Sequence, residues 1–181
     1  MRIISGNSKS IIIKAPKGLP SRPTKDIVKE SLFNILSNKF KFDKLKVLDL
    51  FSGTGNISYE FSSRGSNFII SVDNNFKCVK FINKISIKNN FNIIAIKSDY
   101  KNFLLNTNEN FDIIFADPPY NFSEHQYFEL LNIIKLSDVL LEDGEIIIEH
   151  SSKISFLERF NNINERIYGS TKLSFFKKAS L

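Results

Sequence analysis

Val47-Leu48-Asp49-Leu50-Phe51-Ser52-Gly53-Thr54-Gly55-Asn56 is the stretch on which the fold turns: a short apolar strand runs straight into a glycine loop, and a helical pattern follows. Working outward, further apolar runs occupy Phe68–Val72, Ile93–Ile96, Ile113–Ala116 and Ile146–Ile148. Helical patterns separate them near Asn56–Arg64, Asn75–Lys88, Lys101–Asn106 and Ser123–Leu136. Continuous apolar strands alternating with helices predict a parallel sheet covered on both faces. Ile163–Tyr168 and Lys172–Phe176, joined through Gly169-Ser170, predict an antiparallel pair that completes the sheet. The expected architecture is α/β and Rossmann-like: a seven-stranded, mostly parallel sheet preceded by a short hairpin extension and a helix.

The predicted hairpin pairs Arg2–Ile4 with Ile11–Lys14 across a Gly6-Asn7 turn. Pro16, Pro20 and Pro23 then favour an extended chain. Thr24 is the expected N-cap of a helix whose apolar face carries Val28, Leu32, Ile35 and Leu36. The expected division is a basic extension over residues 1–23 and a catalytic domain over 24–181.

Charge is distributed unevenly. Arg2, Lys9, Lys14, Lys17, Arg22 and Lys25 fall in the first 25 residues, which contain no acid. The other nineteen basic residues are matched by nineteen acids, so the whole net charge of +6 sits in this segment. Such a segment is the electrostatic footprint of a polyanion partner, and Arg2, Lys9, Lys14, Lys17 and Arg22 are the candidate RNA contacts. The longest apolar runs are far short of the roughly 20 residues that span a bilayer, so no membrane partner is expected. The lone Cys78 and the absence of a Cys/His cluster argue for a reduced, cytoplasmic setting without a metal site.

A glycine loop after a strand is shared by many nucleotide sites. Open α/β sheets bind ligands beyond the carboxyl ends of their strands, where Gly53 and Gly55 allow sharp turns and a close approach. Asp49 is placed to accept from a ligand ammonium group, and Asp73, ending the second strand, to hold two ribose hydroxyls. Asp99 is a candidate for an adenine amino group, and Phe51 for packing on the ligand or the core. A pyrophosphate loop calls for a third glycine at the position of Ser58. S-adenosylmethionine carries no phosphate and needs none.

At the end of the fourth strand stands Asp117-Pro118-Pro119-Tyr120. Two prolines fix φ and remove two donors, leaving stiff carbonyl acceptors. An exocyclic base amine is a poor nucleophile because its lone pair is delocalised into the ring. Hydrogen bonds from its two N–H groups to Asp117 and the Pro118 carbonyl favour a tetrahedral nitrogen aimed at a methyl donor. Tyr120 offers a flat face to a base taken out of its stack. The expected reaction is methyl transfer to such an amine.

Together with Arg2-Ile3-Ile4-Ser5-Gly6, and with Arg22-Pro23-Thr24 followed by Lys29–Leu36, these motifs resemble the RsmD family over essentially the whole chain. Its members are bacterial 16S ribosomal RNA guanine-N2 methyltransferases. The resemblance implies S-adenosylmethionine as cofactor and 16S rRNA in an assembled or partly assembled small subunit as partner; the chain itself is expected to be a monomer. It implies catalytic roles for Asp117, Pro118 and Tyr120, and cofactor roles for Gly53, Gly55, Asp73 and Asp99. By the same resemblance Thr24 approaches the methionine carboxylate. Ser52 replaces a commoner Ala and Tyr120 a commoner Phe, while the N-terminal segment is short of arginine. Three other readings remain: an adenine-N6 methyltransferase on DNA or RNA, a non-catalytic RNA-binding assembly factor, and a nicotinamide-dependent oxidoreductase, which Ser58 disfavours.

Overall fold

Seven strands form one sheet in a computed structural model that describes residues 1–19 and 24–181. They are β1 (Lys46–Leu50), β2 (Phe68–Asp73), β3 (Ile93–Lys97), β4 (Phe111–Ala116), β5 (Leu140–Ser151), β6 (Asn164–Tyr168) and β7 (Thr171–Lys177). Their order is β3-β2-β1-β4-β5-β7-β6, parallel except for β7, which runs antiparallel to both its neighbours. The helices are α1 (Asp26–Ser37), α2 (Asn56–Ser63), α3 (Phe76–Asn89), α4 (Tyr100–Asn106) and α5 (Glu124–Ser137).

Strand alternation builds two cores. Val47, Ile69, Ile113, Phe115 and Ile147 point to one face, where α1, α2 and α3 supply Leu32, Phe33, Ile57, Phe61 and Ile82. Leu48, Leu50, Ile70, Ile114 and Ile148 point to the other, against Leu104 of α4 and Leu130 and Ile134 of α5. With both faces covered, the central strands have no solvent side, which explains their continuous apolar runs.

Helix starts follow local chemistry in three cases. Asn75 and Asp99 accept from backbone N–H groups at the starts of α3 and α4, and Ser123 forms a capping box with Gln126 on α5. Thr24 does not cap α1. Lys25 holds that position without a side-chain bond, and the Thr24 hydroxyl is donated elsewhere. β5 is also longer than its apolar run suggests. It begins at Leu140, opposite Phe111, and the register then shifts, so that Glu142-Asp143-Gly144 bulges from a strand rather than forming a turn.

The N-terminal hairpin is shorter than expected and more deeply rooted. It has one isolated bridge, Arg2 to Ile12, and its loop is wider than two residues, with Lys9 N–H donating to the Gly6 carbonyl at 3.1 Å. The edge facing the domain bonds elsewhere. Ile4 and Ser5 N–H donate to the Glu60 carboxylate at 2.8 and 3.0 Å, and Asn7 N–H donates to the Ser63 carbonyl at 2.7 Å. Ile3 and Ile13 join the α1–α3 core. Gly6, at φ 86°, sits so close that a Cβ would lie 1.9 Å from the Ser63 carbonyl oxygen. Of the extension, Pro20, Arg22 and Pro23 lie outside the described residues.

Glu60 and Lys29, both fully buried, face each other at 3.7 Å. Arg64 Nε donates to Glu60 at 2.9 Å, and Lys29 Nζ donates to the Arg2 carbonyl at 2.6 Å and to Asn56 Oδ1 at 2.9 Å. Burial holds the Lys29 ammonium below its ordinary pKa, while Glu60 and Asp26 oppose that shift. Removing one member of a buried pair leaves the other uncompensated, at a cost of about 3–5 kcal/mol. Urea unfolding of Glu60→Ala is expected to show a loss of that order, whereas Glu30→Ala, on the exposed side of α1, changes stability by under about 0.5 kcal/mol.

Candidate active site

The carboxyl ends of β1, β2, β4 and β5 open onto a cavity of about 620 Å³. This is the crevice where the strand order reverses, since β1 has β2 on one side and β4 on the other. Asp49, Asp73, Asp99, Asp117 and Glu149 line it, and among the described lining residues Lys25 is the one lysine or arginine. Phe51, Tyr100, Phe122 and Tyr127 form an aromatic wall whose successive ring centroids lie 5.0–6.0 Å apart.

Asp49 is 1% exposed. Its Oδ2 accepts from the Ser58 hydroxyl at 2.5 Å and from Ser58 N–H at 3.2 Å, and Ser58 meets Ser71 of β2 at 2.6 Å. Ser58 is the third residue of α2, so a protein carboxylate already engages the helix N-terminus that would otherwise attract a pyrophosphate. Burial pushes the Asp49 carboxyl up to about 7, against the two Ser58 bonds, which lower it.

Asp73 accepts from Gly53 N–H on one oxygen and from Asn75 N–H on the other, each at 2.8 Å. It thereby ties β2 to the glycine loop. Burial raises its pKa above the usual carboxylate value, and the two backbone bonds act against that rise. Asp99 caps α4 through Asn102 N–H at 3.0 Å and reaches the cavity from an exposed position.

Phe51 takes φ +57°, a left-handed backbone for a bulky residue. Its ring centroid lies 5.1 Å from Tyr100 and 5.6 Å from Phe122, so it packs on protein and lines the cavity at once. Gly53 lines the cavity. Gly55 does not, because the space a Cβ would fill there belongs to Tyr59, at 2.8 Å, and Ile82, at 3.0 Å. Gly55 therefore permits α2 to pack against α3 rather than a close approach to ligand.

Asp117, Pro118 and Tyr120 all line the cavity: Pro118 is buried, Asp117 half-buried and Tyr120 77% exposed at the mouth. The Pro119 carbonyl accepts from Phe122 N–H at 2.8 Å, which closes the turn. Thr24 also lines the cavity and donates its hydroxyl to Glu149 Oε2 at 2.9 Å. Arg2, Lys9, Lys14 and Lys17 lie outside the cavity on the exposed N-terminal segment. Arg2 pairs with Asp26 at 3.7 Å, and Arg22 lies outside the described residues.

Two site residues carry no motif in the sequence. Glu149 sits inside the long strand β5, where nothing distinguishes it from a solvent-facing acid. Tyr127 is a buried α5 residue indistinguishable from core. His150 is buried, with Nδ1 2.9 Å from the Ser151 carbonyl and Nε2 2.7 Å from Ser174 Oγ. Burial drives it down to about 4, so it is neutral at physiological pH.

The sheet order, the glycine loop and the acid-rich crevice define a Rossmann-like, class I methyltransferase. The chain belongs to the RsmD family: the family model described as "Conserved hypothetical protein 95" matches residues 1–177. It is 34% identical to the Bacillus subtilis protein named "Putative rRNA methyltransferase YlbH", over 98% of this chain and 99% of that one. It is 32% identical to "Ribosomal RNA small subunit methyltransferase D" of Buchnera aphidicola subsp. Acyrthosiphon pisum, over 86% of this chain and 80% of the relative. Among solved structures, the Thermus thermophilus 16S rRNA N2 G1207 methyltransferase RsmC, in complex with AdoMet and guanosine, superposes with a TM-score of 0.71 at 19% identity, over 88% of this chain and 45% of that one.

The raised Asp49 carboxyl has a pH consequence. A buried acid whose folded pKa exceeds its unfolded value stabilises the fold in its protonated form, and that contribution fades as pH rises from about 4 to about 7. An ammonium group bound beside Asp49 would favour the ionised form, so its binding would expel a proton. Affinity for S-adenosylhomocysteine is expected to rise between about pH 6 and pH 8. Titration calorimetry in buffers of different ionisation enthalpy should register proton release that is absent from Asp49→Asn.

Proposed function

We propose that the protein uses S-adenosylmethionine to methylate the exocyclic N2 amine of a guanine in 16S ribosomal RNA, within an assembled or partly assembled small subunit. The observation that carries the proposal is the pairing of an acid-lined, phosphate-averse cavity with Asp117-Pro118-Pro119-Tyr120 at its rim. Among the described lining residues, five carboxylates against one lysine suit a ligand that brings an ammonium and a sulfonium, and disfavour a pyrophosphate. With Ser58 bonded to Asp49 in place of a third glycine, the nicotinamide reading loses its phosphate site.

In this reading Asp49 receives the cofactor ammonium, Asp73 the ribose hydroxyls and Asp99 the adenine amine, while Phe51 and Gly53 form the floor. The bound cofactor supplies a methyl group made electrophilic by sulfonium. Asp117 and the Pro118 carbonyl accept from the two N2 protons, directing the lone pair along the line of attack. As the nitrogen–methyl bond forms and the sulfur–methyl bond breaks, N2 gives up a proton through Asp117 to solvent. Tyr120, exposed at the mouth, stacks on the flipped base. Lys9, Lys14 and Lys17, exposed on one segment, contact phosphates together with Arg2 and Arg22.

Asp117→Ala is expected to lower kcat by about 100-fold or more with cofactor affinity retained. Asp73→Ala is expected to weaken S-adenosylhomocysteine binding by about tenfold, read by calorimetry. Nucleoside mass spectrometry of 16S rRNA from cells with and without the active protein tests the product: N2-methylguanosine should depend on Asp117, and dependence of N6-methyladenosine instead would refute the assignment. Because Ile3 and Ile13 belong to the core, RNA contact is better tested by changing Lys9, Lys14 and Lys17 to Glu than by deletion. That triple variant should bind RNA more weakly and lower the salt slope by about one per lost phosphate contact, with cofactor affinity unchanged.

A further inference from the structure

The Asp-Pro-Pro-Tyr motif serves guanine and adenine amines alike, so discrimination between the bases has to come from another group in the cavity. Glu149 is placed for it. The β4–β5 register pairs Ala116 with Ile148, and extending it by one residue would set Asp117, just past β4, beside Glu149 of β5. Phe115 and Ile147, two residues earlier, both point to the α1–α3 core. Alternation therefore sends Asp117 and Glu149 to the same side of the sheet, with neighbouring strands about 4.8 Å apart. Both line the cavity. Burial pushes the Tyr127 phenol up to about 12, and the charges of Asp117 and Glu149 add to the rise.

Glu149 is also held in place. Its Oε2 accepts the Thr24 hydroxyl at 2.9 Å, and the Thr24 carbonyl accepts from Asn56 Nδ2 at 3.2 Å. Asn56 Oδ1 in turn takes Lys29 Nζ. A carboxylate fixed by that chain presents a rigid acceptor to whatever lies against Asp117.

We infer that Glu149, positioned by Thr24, reads the Watson–Crick edge of the target base by accepting from guanine N1–H beside the N2 amine that Asp117 and Pro118 engage. This deepens the guanine-N2 reading above and rests on it. With both N2 protons taken by Asp117 and Pro118, guanine still presents a donor at N1, which the Glu149 carboxylate matches. Adenine presents a lone pair at N1, which would face the carboxylate without a proton between them. A site built to accept from a donor rejects an analogue that sets a lone pair there instead, because acceptor then opposes acceptor. Thr24 thereby falls at the base end of the cavity, its hydroxyl proton committed to Glu149 rather than to a methionine carboxylate.

The test uses the full-length protein and small-subunit RNA carrying, at the target position, either guanine or 2-aminopurine, which keeps the N2 amine but has a lone pair at N1. Wild-type protein should favour guanine in kcat/KM by about 10–100-fold, the discrimination a bidentate base contact provides. In Glu149→Gln the amide can donate to N1, so the preference should collapse or invert while S-adenosylhomocysteine affinity stays unchanged. Equal wild-type rates on the two bases, or an unaltered ratio in Glu149→Gln, would overturn the role of Glu149 and leave the guanine-N2 assignment standing. No methylation of guanine by wild-type protein, with activity on adenine instead, would overturn the assignment itself. Equal wild-type rates would overturn the role of Glu149 even if Glu149→Gln fails to fold.

Discussion

Glu60 and Lys29 are two charges with no access to water, and the rest of the molecule is arranged around satisfying them. An isolated buried charge is costly unless it is both paired and hydrogen-bonded. Glu60 meets that demand with two N-terminal backbone amides and Arg64, and Lys29 meets it with a backbone carbonyl and Asn56. The result is a polar joint between the hairpin, α1 and the start of α2. Asn56 extends the joint to Thr24 and so to Glu149 at the mouth of the cavity. A network that anchors the N-terminal segment thus also orders one wall of the site.

The opposite wall has a different logic. Asp49 and Asp73 are first of all structural acceptors, one fastening α2 to the sheet through Ser58 and the other fastening the glycine loop to β2. Each carboxylate is pushed toward its neutral form by burial. A cationic ligand would reverse that tendency, so under the proposed function the groups that brace the crevice would also attract a positively charged cofactor. On that proposal bracing and binding would share atoms, and exchanging either acid would affect both.

Much of this was legible in the chain. The period of the apolar runs identified the strands of a doubly covered sheet, and the proximity of glycines and acids to strand ends located the crevice. The motif at 117–120 stood out because two consecutive prolines at a strand end serve few structural purposes. What stayed hidden has a common physical character. Gly55 reads as a ligand-contacting glycine, yet its constraint comes from Tyr59 and Ile82, which lie on other turns of the chain. Thr24 reads as a cap because Thr before an acid is a common helix start, but a partner 125 residues away competes for its hydroxyl. Glu142-Asp143-Gly144 has turn chemistry, and only the pairing of Leu140 with Phe111 draws it into β5. Local preference yields wherever a distant partner supplies more.

The position of β7 gives the chain a built-in order of completion. Although it is the last strand in sequence, it lies inside the sheet, between β5 and β6. Until residues 171–177 have been synthesised, β5 presents an unpaired edge and β6 has no partner to lie against. Exposed edges of that kind recruit other chains. This strand therefore acts as a keystone: a nascent or shortened chain can assemble the parallel half around β1, but its sheet stays open to misassociation until residues 171–177 are in place.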